Sequence, residues 1–131
     1  MDPTIGDGMG DQLGRDFAEA LGRKDAVRLK ALLRSDVDFR AMTPGRFWEA
    51  DSADTVVDDI LLGTWFEPSD EITEIVGVET ATVGQRQRVG YRFSVRNPDG
   101  RYLVEQQAYL QPDGERIGWL RVMCAGFQPA E

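Results

Sequence analysis

Histidine is absent from the 131 residues, and cysteine occurs once, at Cys124. Without imidazole the chain loses the commonest general base, the Ser/His and Cys/His nucleophile pairs and most transition-metal sites. One cysteine leaves no donor set for zinc and no internal disulfide. No metal or other cofactor is expected. Chemistry is left to carboxylates, tyrosines, lysines, arginines and Cys124, and a lone thiol suits a reducing, cytoplasmic setting. Positive charge is also scarce: 15 Lys and Arg stand against 23 Asp and Glu, a net charge of −8. Phosphate backbones would be repelled, so no nucleic-acid partner is expected. No apolar run approaches the ~20 residues that span a bilayer. The opening MDPTIGDGMGDQLG shows neither the basic cap nor the apolar core of a signal peptide. No membrane partner is expected.

The length suits one domain that buries about two thirds of the surface of its unfolded chain. Residues 1–10 are rich in Gly and Asp and read as a loose lead-in to a single domain over 11–131. Leu13, Phe17, Ala20 and Leu21 recur at helical spacing from Asp11, and Gly22 stops the run. Asp25 is placed to cap a second helix carrying Val27, Leu29, Leu32 and Leu33. The stretch DVDFRAM (36–42) alternates as a strand, with Val37, Phe39 and Ala41 on one face. TPGRFWEA reads as a loop. Ser52 or Asp54 then caps a third helix that runs to Trp65, with Val57, Ile60, Leu61 and Trp65 inward.

Beyond Pro68 the pattern is β: one long strand over 72–83, a turn at Gly84-Gln85-Arg86, and an alternating strand over 88–96. NPDG (97–100) and QPDG (111–114) are turn signals, because Pro presets φ and Gly accepts φ > 0. They bracket YLVEQQAYL and predict a three-stranded meander ending at 117–127. Helices first and an antiparallel or mixed sheet afterwards make an α+β fold. Pairing Asn97 with Gly100 sets Tyr91 opposite Gln106, Phe93 opposite Val104 and Arg92 opposite Glu105. A three-residue loop ending at Gly114 would pair Gln111 with Glu115, Gln106 with Leu120 and Glu105 with Arg121. One face then carries Tyr91, Phe93, Tyr102, Val104, Gln106, Leu120, Val122 and Cys124. The other carries an Arg92–Glu105–Arg121 row beside Leu103, Gln107, Tyr109, Trp119 and Met123. A one-residue slip would turn Glu105 inward.

The order helix, helix, strand, helix, long meander resembles the SnoaL-like, nuclear transport factor 2-like superfamily. FAEALGRKDAVRLKALLRSDVDFRAMTPG resembles its opening helices and first strand, and NPDGRYLVEQQAYLQPDGERIGWLRVMCAGF its closing hairpins. The resemblance implies three helices packed into a strongly curved sheet, a cone-shaped half-barrel around an apolar pocket. That pocket would be lined by Phe17, Phe39, Ala41, Trp48, Trp65, Tyr91, Phe93, Tyr102, Val104, Gln106, Leu120, Val122 and Cys124. Trp48, Trp65 and Met42 would stand near its mouth, with Arg46, Trp48 and Glu49 on a bordering loop. The convex face (Leu103, Glu105, Tyr109, Trp119, Arg121, Met123) would pair two copies into a homodimer.

The resemblance also implies tests of known catalytic sets, and they fail. Ketosteroid-isomerising members would need a Tyr where Phe17 stands, an Asp at Ala41 and a second acid at Gln106. Members that use a His–Asp pair are excluded by the missing histidine. The expectation is therefore a domain binding a small hydrophobic or aromatic molecule. The alternatives are an isomerase, cyclase or dehydratase acting on a polyketide- or steroid-like substrate, and a purely structural dimerisation domain. For the enzyme, Asp38, Tyr91 and Glu105 are the acid/base candidates. Gln106 either bonds Tyr91 across the strands or awaits a ligand.

Overall fold

The computed structural model describes the backbone of residues 4–130 and side chains from residue 11 onward. Helix α1 spans Thr4–Gly22, α2 Ala26–Leu32 and α3 Thr55–Trp65. The strands are β1 Leu33–Thr43, β2 Arg46–Ala50, β3 Glu71–Val83, β4 Arg86–Asn97, β5 Gly100–Asp113 and β6 Arg116–Pro129. They form one mixed sheet in the order β2-β1-β6-β5-β4-β3, with β1 parallel to β6 and every other pair antiparallel. This is the α+β architecture that the element order predicts.

Helix α1 begins ahead of the expected Asp11, so residues 4–10 are helical where a loose segment was expected; residues 1–3 lie outside the described part. Gly6, Gly8 and Gly10 are poor helix formers, but extending a nucleated helix adds one hydrogen bond per residue fixed. The Asp25 cap is present: its carboxylate accepts the Arg28 N–H at 3.0 Å. Val27, read as part of the apolar stripe, is exposed instead. Ser52, not Asp54, supplies the side-chain cap of α3, its Oγ accepting the Thr55 N–H at 3.4 Å.

The largest correction is TPGRFWEA. Arg46–Ala50 is not a loop but the edge strand β2, joined to β1 by a tight hairpin that pairs Thr43 with Arg46. Pro44 and Gly45, whose φ is 75°, fill the two central positions as a type II turn requires. The hairpin turns Trp48 inward and Phe47 outward, since neighbouring strand residues face opposite ways.

Hairpin β4–β5 has the expected register, with Tyr91↔Gln106, Arg92↔Glu105 and Phe93↔Val104. Hairpin β5–β6 does not. Gln106 pairs with Cys124 rather than Leu120, Val104 with Phe127 rather than Val122, and Tyr109, not Glu105, with Arg121. The turn is a two-residue Gly114-Glu115 loop with Gly114 at φ 65° in its first central position, a geometry that matches strand twist. It keeps Pro112 in the strand and buries Ile117 opposite it. From Gln106 to Gln111 the displacement is an even four residues, so these side chains and their partners keep their expected faces. Register shifts between Val104 and Gln106 and between Gln111 and Pro112 absorb the odd steps on either side.

The concave face and the helices bury one continuous core. Phe17 and Leu21 of α1, Leu29 of α2 and Val57, Ile60 and Leu61 of α3 meet Phe39, Tyr91, Phe93, Val104, Leu110 and Leu120 of the sheet. Helix α1 approaches β3 so closely that a Cβ on Gly22 would stand 2.6 Å from the Ile75 side chain.

Candidate functional site

The sequence-predicted pocket residues converge. Phe17, Phe39, Ala41, Trp48, Trp65, Tyr91, Phe93, Val104, Gln106, Leu120, Val122 and Cys124 are all buried inside the curve of the sheet, and Tyr102 is half-buried against Phe127. Met42 is the exception: it sits on the convex face beside Phe47, because β1 presents alternate residues to opposite sides. Aromatic rings fill much of the interior. Tyr91 stacks on Phe93 with centroids 5.1 Å apart, Phe66 meets Phe93 edge-on at 5.7 Å, and Trp65 stands edge-on to Trp48 at 5.9 Å. Phe66 was not singled out from the sequence, although it directly follows the helical stripe that ends at Trp65.

Through this apolar lining runs one polar row, Tyr91–Gln106–Cys124, adjacent residues on β4, β5 and β6. The Tyr91 hydroxyl donates to Gln106 Oε1 at 2.5 Å, and both residues are about as buried as side chains become, 2% and 1% exposed. Burial pushes the Tyr91 phenol well above its ordinary value of 10, with the neighbouring Cys124 adding to the effect. The phenol therefore stays neutral and acts as a donor, not a base. Gln106 Nε2 has no partner. Turning the amide over would strand both the amide oxygen and the Tyr91 hydroxyl hydrogen, so the orientation with Nε2 free is the better satisfied one. The question posed by Gln106 thus has a double answer: it bonds Tyr91 and still has a free end.

A second buried donor, Trp65 Nε1, is likewise unpaired. Its neighbour Trp48 is satisfied, donating to Thr43 Oγ1 at 2.9 Å. The periodicity that placed Trp65 inward was silent on its indole N–H. No free acceptor accompanies these two donors among the described buried side chains. Asp70, the one buried carboxylate among the described residues, accepts from Asn97 Nδ2 at 2.9 Å.

The remaining acid/base candidates lie elsewhere. Asp38 and Glu105 project from the convex face and are ion-paired, Asp38 with Arg121 at 3.2 Å and Glu105 with Arg92 at 3.6 Å. The expected three-residue charge row is thus two separate pairs, since the β5–β6 register carries Arg121 away from Glu105. Arg121 and Arg86 also stack on Trp119, at 4.3 and 4.2 Å from the ring centre. Beside them a groove of about 250 Å³ is lined by Arg40, Met42, Phe47, Tyr109, Arg121 and Met123. No cluster of His, Cys, Asp or Glu suited to a metal occurs among the described residues, and no helix there is long and apolar enough to cross a membrane.

No family model and no curated protein matches the sequence. Solved structures do match the fold. A proposed isomerase from Bacillus subtilis superposes with a TM-score of 0.70 at 11% identity, over 89% of this chain and 86% of the other. An LEH-like epoxide hydrolase of M. tuberculosis gives 0.64 at 14%, over 89% and 83%. A nuclear transport factor 2-like protein from Burkholderia thailandensis gives 0.62 at 17%, over 86% and 88%. The chain folds as a nuclear transport factor 2-like, SnoaL-like cone, and these likenesses establish the fold alone.

Proposed function

We propose that the chain binds a small, neutral, apolar or aromatic molecule inside the cone, and that a hydrogen-bond acceptor on that molecule meets the free end of Gln106. The observation that carries this reading is the buried Gln106 amide with one end bonded and one end bare. Leaving such a group unpaired costs about 1–3 kcal/mol, and native folds rarely leave one without a reason. Trp65 Nε1 repeats the pattern. Two spare donors and no spare acceptor favour a ketone, ester, ether or quinone oxygen over a donor such as an amine. The buried lining carries no charged side chain, and the guanidinium against it, that of Arg46, lies over the Trp48 ring at 3.5 Å, so a charged ligand would lose most of its hydration uncompensated. Mostly apolar walls with few polar contacts are the usual make-up of small-molecule sites. Binding rather than turnover is the reading, because no carboxylate stands among the lining residues and the phenol there is held neutral, while buried Asp70 is engaged with Asn97. A reducing, cytoplasmic setting, where Cys124 stays a thiol, completes it.

Native mass spectrometry of protein purified gently from its own cells tests this. A discrete neutral adduct, lost from a Tyr91→Phe/Gln106→Leu variant, is the expected result. Protein that emerges ligand-free and takes up none of a panel of neutral aromatic ketones would contradict it.

The convex groove favours a second role for the same fold, self-association. Phe47 is 78% exposed and Met123 54%, next to half-buried Tyr109 and Trp119, and such contiguous apolar surface commonly marks an interface. The same spectra report it: a dimer that Phe47→Glu converts to monomer supports this role, and a monomeric wild type removes it.

A further inference from the structure

Helix α3 closes the concave side, and it is wound unlike α1 and α2. Thr55–Trp65 is wound as a π-helix, with backbone bonds reaching five residues back, although at its entry the Val56 N–H still bonds the Ser52 carbonyl four back at 3.0 Å. The Phe66 N–H continues the pattern to the Leu61 carbonyl at 2.9 Å, and the Thr64 hydroxyl donates to the Asp59 carbonyl at 2.7 Å. Winding of this kind is rare, is mostly confined to single turns, and recurs at functional sites. Its wide turn gathers Val56, Val57, Ile60, Leu61 and Trp65, the buried residues of α3, into one stripe. At the roughly 3.6 residues per turn of an α-helix the same five would spread over about half the circumference, with Trp65 at one extreme.

Both ends of the segment are tied down. Lys30 holds Asp58 at 2.8 Å and Asp54 at 3.4 Å. Beyond the C-terminal end, Lys24 Nζ donates to the Glu67 carbonyl at 2.7 Å and to that of Asp70. The helix is therefore not free to lift away whole, and what its middle can change is its winding. Trp65 itself has no hydrogen-bond tether, in contrast to Trp48. Gly63 sits where the wide winding leaves no room: a Cβ there would collide with the Asp58 carbonyl oxygen. In an α-helix the same position takes alanine readily.

We propose that α3 switches between five-back and four-back hydrogen bonding, and that the switch carries Trp65 off the interior to open the cone. The door is thus a rewinding of one helix, with glycine at 63 permitting the closed form. Its purpose, admitting a ligand, rests on the binding role proposed above; the motion itself does not.

The test is the exchange with water of the Trp65 indole N–H, followed by NMR in ligand-free protein and assigned by its loss in Trp65→Phe. Gly63→Ala forbids the closed winding and Thr64→Val removes a five-back bond, so both should speed this exchange while the Trp48 indole is unaffected. For Gly63→Ala the gain should be about tenfold, at the modest end of what overfilling a crowded position does. Should Gly63→Ala fail to fold, Thr64→Val decides. Unchanged Trp65 exchange in the folded variants would overturn the proposal. Faster exchange in a protein that takes up no neutral ligand would keep the door and discard the ligand.

Discussion

The two faces of one sheet, built by alternate residues of the same strands, treat polarity in opposite ways. On the convex side polar groups find partners: Arg92 with Glu105, Arg121 with Asp38, Arg40 with Glu49, and Arg88 with Gln107 at 2.7 Å. On the concave side two donors are left over among the described residues, and the buried lining carries no charged side chain there. If the interior served only as core, the side shut off from water is where unpaired donors would be least expected. Spare hydrogen bonding is thus concentrated where an apolar molecule would sit. The proposed binding role rests on this contrast between spare donors inside and a solvated or paired surface outside.

The comparison can be broken first with volume. Phe93→Ala should cost about 3–5 kcal/mol in urea unfolding, as large deletions in close-packed cores do. Met123→Ala across the sheet should stay within about 0.5 kcal/mol, as exposed positions do. Equal losses would mean that the concave face is not the core. Next comes the polar row. Tyr91→Phe leaves the whole Gln106 amide unpaired and should cost about 1–3 kcal/mol; Gln106→Leu strands the Tyr91 hydroxyl and should cost about as much. The double variant should recover most of both losses, a non-additivity that a double-mutant cycle measures. Additive losses would show that the pair is not coupled.

The same row sets a pH response. The Tyr91 pKa is raised in the folded state, so its contribution to stability is complete below the unfolded value of about 10 and is lost as pH rises toward the folded one. Stability should fall above pH 10 by up to about 1.4 kcal/mol per pH unit from this group, and Tyr91→Phe should flatten the fall. Identical alkaline profiles would place Tyr91 in water. The smallest effect belongs to the convex side: Glu105→Gln should change stability by less than about 1 kcal/mol, shrinking with added salt.

How much was legible in the sequence follows the same division. Alternation along YLVEQQAYL and charge matching against RVGYRFSVR set the β4–β5 register and every facing, including Glu105 outward and Gln106 inward. The β5–β6 register was not legible, because QPDG admits more than one loop, and only burial of Ile117 and the twist of a two-residue turn choose between them. Strand β2 was written in Pro44-Gly45 followed by alternating Phe47 and Trp48, a type II hairpin signal masked by its shortness. The winding of α3 was hidden because the buried positions fit an α-helix almost as well. The spare donors were invisible in principle, since hydrogen-bond satisfaction depends on neighbours that only the fold brings together.

The most direct test is a fluorescence titration with 6-propionyl-2-(dimethylamino)naphthalene, a neutral aromatic ketone. Wild type should bind it saturably with a blue-shifted emission, and the folded Tyr91→Phe/Gln106→Leu variant should bind about tenfold more weakly, the value of one good hydrogen bond. No saturable binding, or equal affinity in the two proteins, would contradict the account.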